Sequence, residues 1–118
     1  MACCMPGTIL DLLRFANHRA ARGEKRFEEC AACHSLEPGK NVLGPSLRGL
    51  FGRKAAELPD FMYSNAMKRS RIAWTPQALD AFIADPQKAV PANRMPYAGM
   101  TEARDREDLI AYLVKATR

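Results

Sequence analysis

Long apolar stretches are missing from this 118-residue chain: the longest, Ile9 to Ala16, is interrupted by Asp11 and Arg14, far short of the roughly 18 to 20 apolar residues that span a bilayer. A soluble chain with no transmembrane segment is expected. No run alternates apolar and polar residues for long enough to propose a strand, and there is no internal repeat or low-complexity tract. The first 18 residues, MACCMPGTILDLLRFANH, lack the basic start and the long apolar stretch before a small-residue cleavage site that mark an intact signal peptide. Histidine is scarce, at two residues, His18 and His34, and the four cysteines fall as one adjacent pair, Cys3-Cys4, and one C-x-x-C pair, Cys30 and Cys33. That is a poor scaffold for stapling distant segments with disulfides, so the cysteines need another use. The length fits one small domain. Such a domain buries only about two-thirds of the surface its unfolded chain exposes, which makes a bound cofactor or a cross-link valuable as extra core.

What is present reads as helices separated by irregular chain. Residues 1–18 form an N-terminal extension, in which Ile9, Leu10, Leu12, Leu13 and Ala16 would make one apolar helix face after a Thr8 cap. It reads as an extra helix, the stump of a trimmed signal or the product of a misplaced start, and Cys3 and Cys4 receive no role. Residues 19–118 form the domain proper. Ala20 to Cys33 predicts a helix ending at CAACH, with Phe27, Cys30, Ala31 and His34 along one face. Pro38, Gly39, Gly44, Pro45, Gly49, Gly52 and Pro59 forbid long regular elements before Tyr63, and a loop that long inside a compact domain needs a functional reason. A short helix is expected over Ser64 to Arg71. Another begins with Thr75 as cap and Pro76 as first helical residue, carries Leu79, Phe82 and Ile83 as its apolar face, and stops at Pro86. Pro86 to Met100 is read as irregular. Thr101 is expected to cap the last helix, where Leu109, Ile110, Leu113 and Val114 repeat at helical spacing and the charges run from acidic to basic along the axis.

Cys30-Ala31-Ala32-Cys33-His34 is a C-x-x-C-H sequence, the attachment signal for c-type haem. Residues three apart on a helical turn share a face, so both thiols can add to the vinyl groups along one porphyrin edge while His34 reaches the iron. A thioredoxin-like dithiol would need a βα context that is absent. Zinc would need four tetrahedral ligands, for which Cys3-Cys4 is an awkward second half. The second axial ligand would be a Met, a His or nothing, and the candidates are the six methionines and His18, which is expected to be exposed. Met95 lies in the irregular run PANRMPYAGM, where a thioether can be presented from a rigid loop; any Met can equally be core filler.

Together CAACH, GPSLRGLFGRK (44–54), YSNAM (63–67), Trp74, PANRMPYAGM (91–100) and the closing DREDLIAYLVKAT resemble, in order, the monohaem class I cytochromes c of the mitochondrial-like and bacterial c2-type branch. The resemblance covers Gly23 to Arg118. It implies an all-α fold, with the first and last helices packed together and Gly/Pro-rich loops wrapping one haem c held covalently by Cys30 and Cys33. His34 and Met95 are the axial ligands it implies. The Pro45 carbonyl would accept from the His34 ring, a bond that fixes a ligand's orientation and basicity. Arg53, Tyr63, Trp74 and Asn93 would surround or hydrogen-bond the haem propionates, and Gly23 and Phe27 would pack on Leu109 and Tyr112. Two departures make the distal side more apolar: Phe82 stands where many relatives carry Tyr, and Met67 where the mitochondrial proteins carry Asn.

The function implied is a soluble one-electron carrier and not an enzyme, since a His/Met iron is six-coordinate and closed, and its thioether raises the potential. Residues 38–74 and 86–100 hold nine basic against two acidic residues, a net of +7 within a chain of net +5. That excess would steer the carrier, as a monomer, to acidic docking surfaces such as those of a cytochrome bc1-type donor and an oxidase or reaction-centre acceptor. No continuous basic helix suggests nucleic acid. The periplasm is the implied location, with the mitochondrial intermembrane space as the alternative. Competing readings are a peroxidase or gas sensor in which Met95 is displaced, and a zinc-bound structural module.

Overall fold

The structure, a computed structural model, describes residues 9–118. Thr8, Cys3 and Cys4 lie outside that range. Among the described residues six helices appear in chain order: α1 (Ile9–Arg26), α2 (Glu28–Ala31), α3 (Asn65–Ser70), α4 (Pro76–Ala84), α5 (Pro86–Ala89) and α6 (Ala103–Ala116). Among the described residues the only strand-like pairing is an isolated antiparallel bridge between Lys54 and Ala73.

The helix expected over Ala20 to Cys33 is different in detail. One helix runs unbroken from the N-terminal extension to Arg26, and the backbone then tightens around Phe27. The Cys30 amide donates to the Phe27 carbonyl at 2.8 Å, an i to i+3 bond, and His34 donates to Cys30 at 2.9 Å. The tightening accompanies the burial of Phe27, whose ring centroid lies 5.6 Å from that of Tyr112 on α6. Near the start of α1, Ile9 is 75% exposed and Phe15 is 56% exposed.

α1 and α6 form the most extensive helix pairing among the described residues. Gly23 permits it. A Cβ at that position would lie 1.9 Å from the Asp108 carbonyl oxygen and 2.9 Å from the Tyr112 Cβ, so the two backbones meet where only a hydrogen fits. Along the same seam Arg22 donates to both Asp108 oxygens at 2.9 and 3.2 Å. Asp108 is buried, so its carboxylate needs this paired partner.

α3 and α4 start on local caps, Ser64 accepting from the Met67 amide and Thr75 from the Ala78 amide. Leu79, Phe82 and Ile83 of α4 are buried, each worth about 1.5 to 3 kcal/mol against exposure. Two sequence expectations need correction. The stretch after Pro86 is not wholly irregular: Asp85 caps α5, accepting from the Lys88 amide, with Pro86 at its first position. Thr101 does not cap the last helix, because α6 begins one residue later with Glu102 at its N-cap and no side-chain cap bond. The Met100 and Thr101 carbonyls are held instead by the Arg106 guanidinium, which also reaches Asp80 of α4 at 2.8 Å. The core joins Phe27, Leu50, Trp74, Leu79, Phe82, Ile83, Val90, Met100, Leu109 and Leu113.

Candidate functional site

The chain between α2 and α3 is folded by its own polar side chains. Ser46 donates to the Glu37 carbonyl, Asn41 accepts from the Ser46 amide, and the Gly44 amide donates to the Cys33 carbonyl at 2.7 Å. The loop is tied to the chain terminus by the Gly49 amide on Thr117 and by Arg48 on Arg118. These bonds bring Gly44 and Pro45 against His34. The His34 Nδ1 and the Pro45 carbonyl are 2.7 Å apart, so with the proton on Nδ1 the ring donates and Nε2 is left as the free nitrogen. A Cβ at Gly44 would sit 2.4 Å from His34 Cε1. Burial lowers the His34 pKa, the Pro45 bond opposes that, and the charge of Arg53 adds to the lowering, which keeps the imidazole neutral and able to act as a ligand.

Beside it opens a cavity of about 410 Å³, within the range of small-ligand and cofactor sites. Cys30, Cys33, His34, Pro45, Tyr63, Trp74, Asn93 and Met95 all line it, and so do Phe82, Met67 and Tyr97. Burial, helped by Glu29 and Cys33, pushes the Cys30 thiol up to about 11. Trp74 and Phe82 meet edge to face at 5.2 Å on its inner wall. Leu43 and Met62 stand at its rim, the latter 81% exposed. His18 is exposed on α1 and takes no part in the lining.

Three methionines line this cavity, and their settings differ. Met62 is on the exposed rim, and Met67 has Ser70 Oγ 3.9 Å from its sulfur. Met95 is held from behind: its amide donates to Asn93 Oδ1 at 2.8 Å. Met100, in the same sequence run, is buried in the core away from the cavity.

Of the residues expected around propionates, Tyr63 and Trp74 line the cavity; Arg53 does not, but is buried, with Nη2 donating to the Ser46 carbonyl at 2.9 Å and Nη1 lacking a partner. An orphaned guanidinium nitrogen is costly unless an anion meets it. Asn93 departs from expectation. Its Nδ2 donates to the carbonyls of both Pro86 and Val90 at 2.9 Å, so no side-chain N–H is left for a propionate, and the residue anchors the Met95 loop instead. Sequence reasoning passed over Gln87, which grips that loop from outside, and the Tyr97 hydroxyl, buried without a partner. An exposed glutamine carries no periodic or motif signal that could have found it.

These residues fit a covalent haem. Two thiols and a neutral imidazole lie on one wall, a thioether comes from a distant loop, the surface between is apolar, and a buried cationic nitrogen is unsatisfied.

Comparison with known proteins agrees with the geometry. A family model described as Cytochrome c matches residues 20–117. Over 98 residues the chain is 45% identical to a cytochrome c2 of Agrobacterium tumefaciens (strain II Chrys), covering 80% of this chain and 88% of that protein. It is 44% identical over 95 residues to a cytochrome c2 of Blastochloris viridis, covering 80% and 75%. A cytochrome c of Euglena viridis is 43% identical over 95 residues, covering 80% and 93%.

Proposed function

The chain belongs to the cytochrome c family and is an electron carrier with one covalent haem c; we propose that Cys30 and Cys33 form the thioethers and that His34 and Met95 are the axial ligands. The observation that carries this reading is the convergence of those four residues, from α2 and the turn that follows it and from the loop after α5, on one apolar cavity. Bound there, the haem supplies an iron that cycles between Fe(II) and Fe(III). His34 brings Nε2 to it, with Pro45 fixing the ring and raising its basicity. Met95, which lines the same cavity, would supply a thioether sulfur to the iron, a ligand that favours the reduced state. Arg53 offers its free Nη1 to propionate charge, alongside Tyr63 and Trp74. Trp74, Phe82, Leu79 and Ile83 keep water from the inner wall, and fixed dipoles around the site leave little to reorganise when its charge changes by one.

A closed iron leaves no place for substrate, so the reading is of a carrier and not an enzyme. The apolar rim of Leu43 and Met62 is exposed, as is Val42 next to it in the chain, and Lys40, Lys68, Arg69 and Arg94 are exposed on nearby loops and on α3. Such a face suits brief docking, as a monomer, on acidic surfaces of redox proteins, a cytochrome bc1-type donor and an oxidase or reaction-centre acceptor. We place the carrier in the periplasm, with residues 19–118 as the functional domain and 1–18 as an extension; among the described residues no helix is long and apolar enough to cross a membrane. The test is an absorption spectrum in both oxidation states. Acidified acetone should not extract the pigment, the ferric protein should show the weak near-infrared band of sulfur-to-iron ligation, and the ferrous protein should bind carbon monoxide poorly. Ready uptake of carbon monoxide near neutral pH would overturn the carrier reading in favour of a peroxidase or sensor.

A further inference from the structure

The loop that presents Met95 contains a conformational liability. Ala92 has φ of +70°, a left-handed backbone that is unfavourable for a residue with a Cβ and persists only where the surroundings impose it. Two side-chain amides impose it, from opposite sides. Inside, buried Asn93 donates to the Pro86 and Val90 carbonyls and accepts from the Met95 amide at 2.8 Å. Outside, the exposed side chain of Gln87 takes the same turn in a two-point grip: its Oε1 accepts from the Ala92 amide at 3.1 Å and its Nε2 donates to the Asn93 carbonyl at 2.9 Å. Gln87 thus clasps the strained residue and its successor, two positions before Met95, from the first turn of α5, itself fixed by the Asp85 cap and buried Pro86.

We propose that Gln87 is a positioning residue for Met95, a latch whose closure sets how often the thioether leaves the iron and admits an outside ligand. The proposal rests on the assignment of Met95 as an axial ligand. It follows from the order of the contacts: Asn93 sits in the core and moves only when the loop unfolds, whereas Gln87 bonds at the surface, where water competes, so the outer grip opens first. Once it opens, the Ala92 turn is free to relax toward negative φ, which carries the Asn93–Met95 segment with it. A ligand that binds only the detached state has its apparent affinity reduced by the fraction of time that state is populated, so loosening the latch should tighten such binding.

The experiment uses the haem-bearing full chain and imidazole as the probe, titrated into the ferric protein while the near-infrared sulfur band is followed. Gln87→Met keeps the length and apolar stem but removes both hydrogen bonds, modest ones at a wet site, so the apparent imidazole affinity should rise about tenfold. Gln87→Asn, too short to span both partners, should behave alike, and exposed Gln77→Ala on α4 should change nothing. Amide hydrogen exchange should show protection of Ala92 lost in the Gln87 variants while that of Leu109 stays. A wild type without the sulfur band would remove the Met95 assignment and the latch with it. A wild type with the band, but Gln87→Met binding imidazole within twofold of it, would leave Met95 as ligand and overturn the latch alone.

Discussion

Replacing Gly44 with Ala tests the proximal side of the site most directly. Gly44 is not in the left-handed region, so Ala adds no backbone strain there, only a methyl group. That methyl would lie 2.4 Å from His34 Cε1, 2.7 Å from Nδ1 and 2.8 Å from Nε2, against an ordinary contact of 3.4 Å or more. The ring must therefore retreat by roughly 1 Å, overpacking of the kind that costs about 1 to 3 kcal/mol. A free imidazole would rotate away cheaply. This one is pinned by the Pro45 carbonyl at 2.7 Å, and a retreat of that size stretches the bond past hydrogen-bonding range and forfeits about 1 kcal/mol more. The expected total is about 2 to 4 kcal/mol, which for a chain of this size is a fall in Tm on the order of 10 °C. The same loss makes the imidazole a weaker donor, which destabilises the ferric state more than the ferrous. A difference of about 1 kcal/mol raises the midpoint potential by about 40 mV for one electron. Thermal melting followed in the visible spectrum and an equilibrium redox titration read the two effects separately. If both melting and potential stay at wild-type values, the imidazole is not held as described, and the link from the Gly44–Pro45 turn to the iron is lost.

Met95→Ala should abolish the sulfur band, lower the potential and admit carbon monoxide, whereas Met62→Leu and Met100→Leu should keep the band. Gly23→Ala must part α1 from α6 by about 1.5 Å at the Asp108 carbonyl; the loss should exceed the roughly 1 kcal/mol that Ala gains in helix propensity, read as a lower urea midpoint at unchanged m. Among the described side chains, a chain beginning at Ala20 gives up an exposed Lys115–Asn17 bond, the exposed Arg19–Glu107 pair and the stacking of Arg19 on Phe15, so its spectrum should persist and its stability fall by no more than about 1 kcal/mol; loss of the haem spectrum would show that the extension is integral. Electron exchange with an acidic partner should slow as salt rises, since the Debye length is already about 8 Å at physiological ionic strength, and Arg94→Glu should slow it further; a salt-independent rate would remove the docking argument.

Features settled within a few residues were readable from the chain alone. Thr75 and Pro76 announce α4 because the cap bond reaches only as far as Ala78, and CAACH carries its chemistry in five consecutive residues. Met95 was different: composition leaves it one methionine of six, its irregular loop made it a candidate, and only the family resemblance made it the favoured one. Where long-range contacts decided, local reading failed. Thr101 looks like a cap, yet the carbonyls around it answer to Arg106, which is also bound to α4. The propionate role expected of Asn93 gave way to the carbonyls of Pro86 and Val90, a partnership that exists only once α5 has formed. Gln87 was invisible for the same reason, since both its partners depend on the shape of a turn with an unusual alanine.

The seam between α1 and α6 also imposes a timetable. Arg22 and its partner Asp108 are 86 positions apart, so during synthesis the CAACH stretch emerges long before the helix that completes its surroundings. In the closed fold Cys30 is half-buried against the core, so a group that must reach its sulfur, whose thiolate is the nucleophile, has less access there than in the open chain. The open, newly made chain is the accessible one. Attachment first and closure second is therefore the productive order, and a variant that hastened the docking of α6 would mature less completely even while its final fold was more stable.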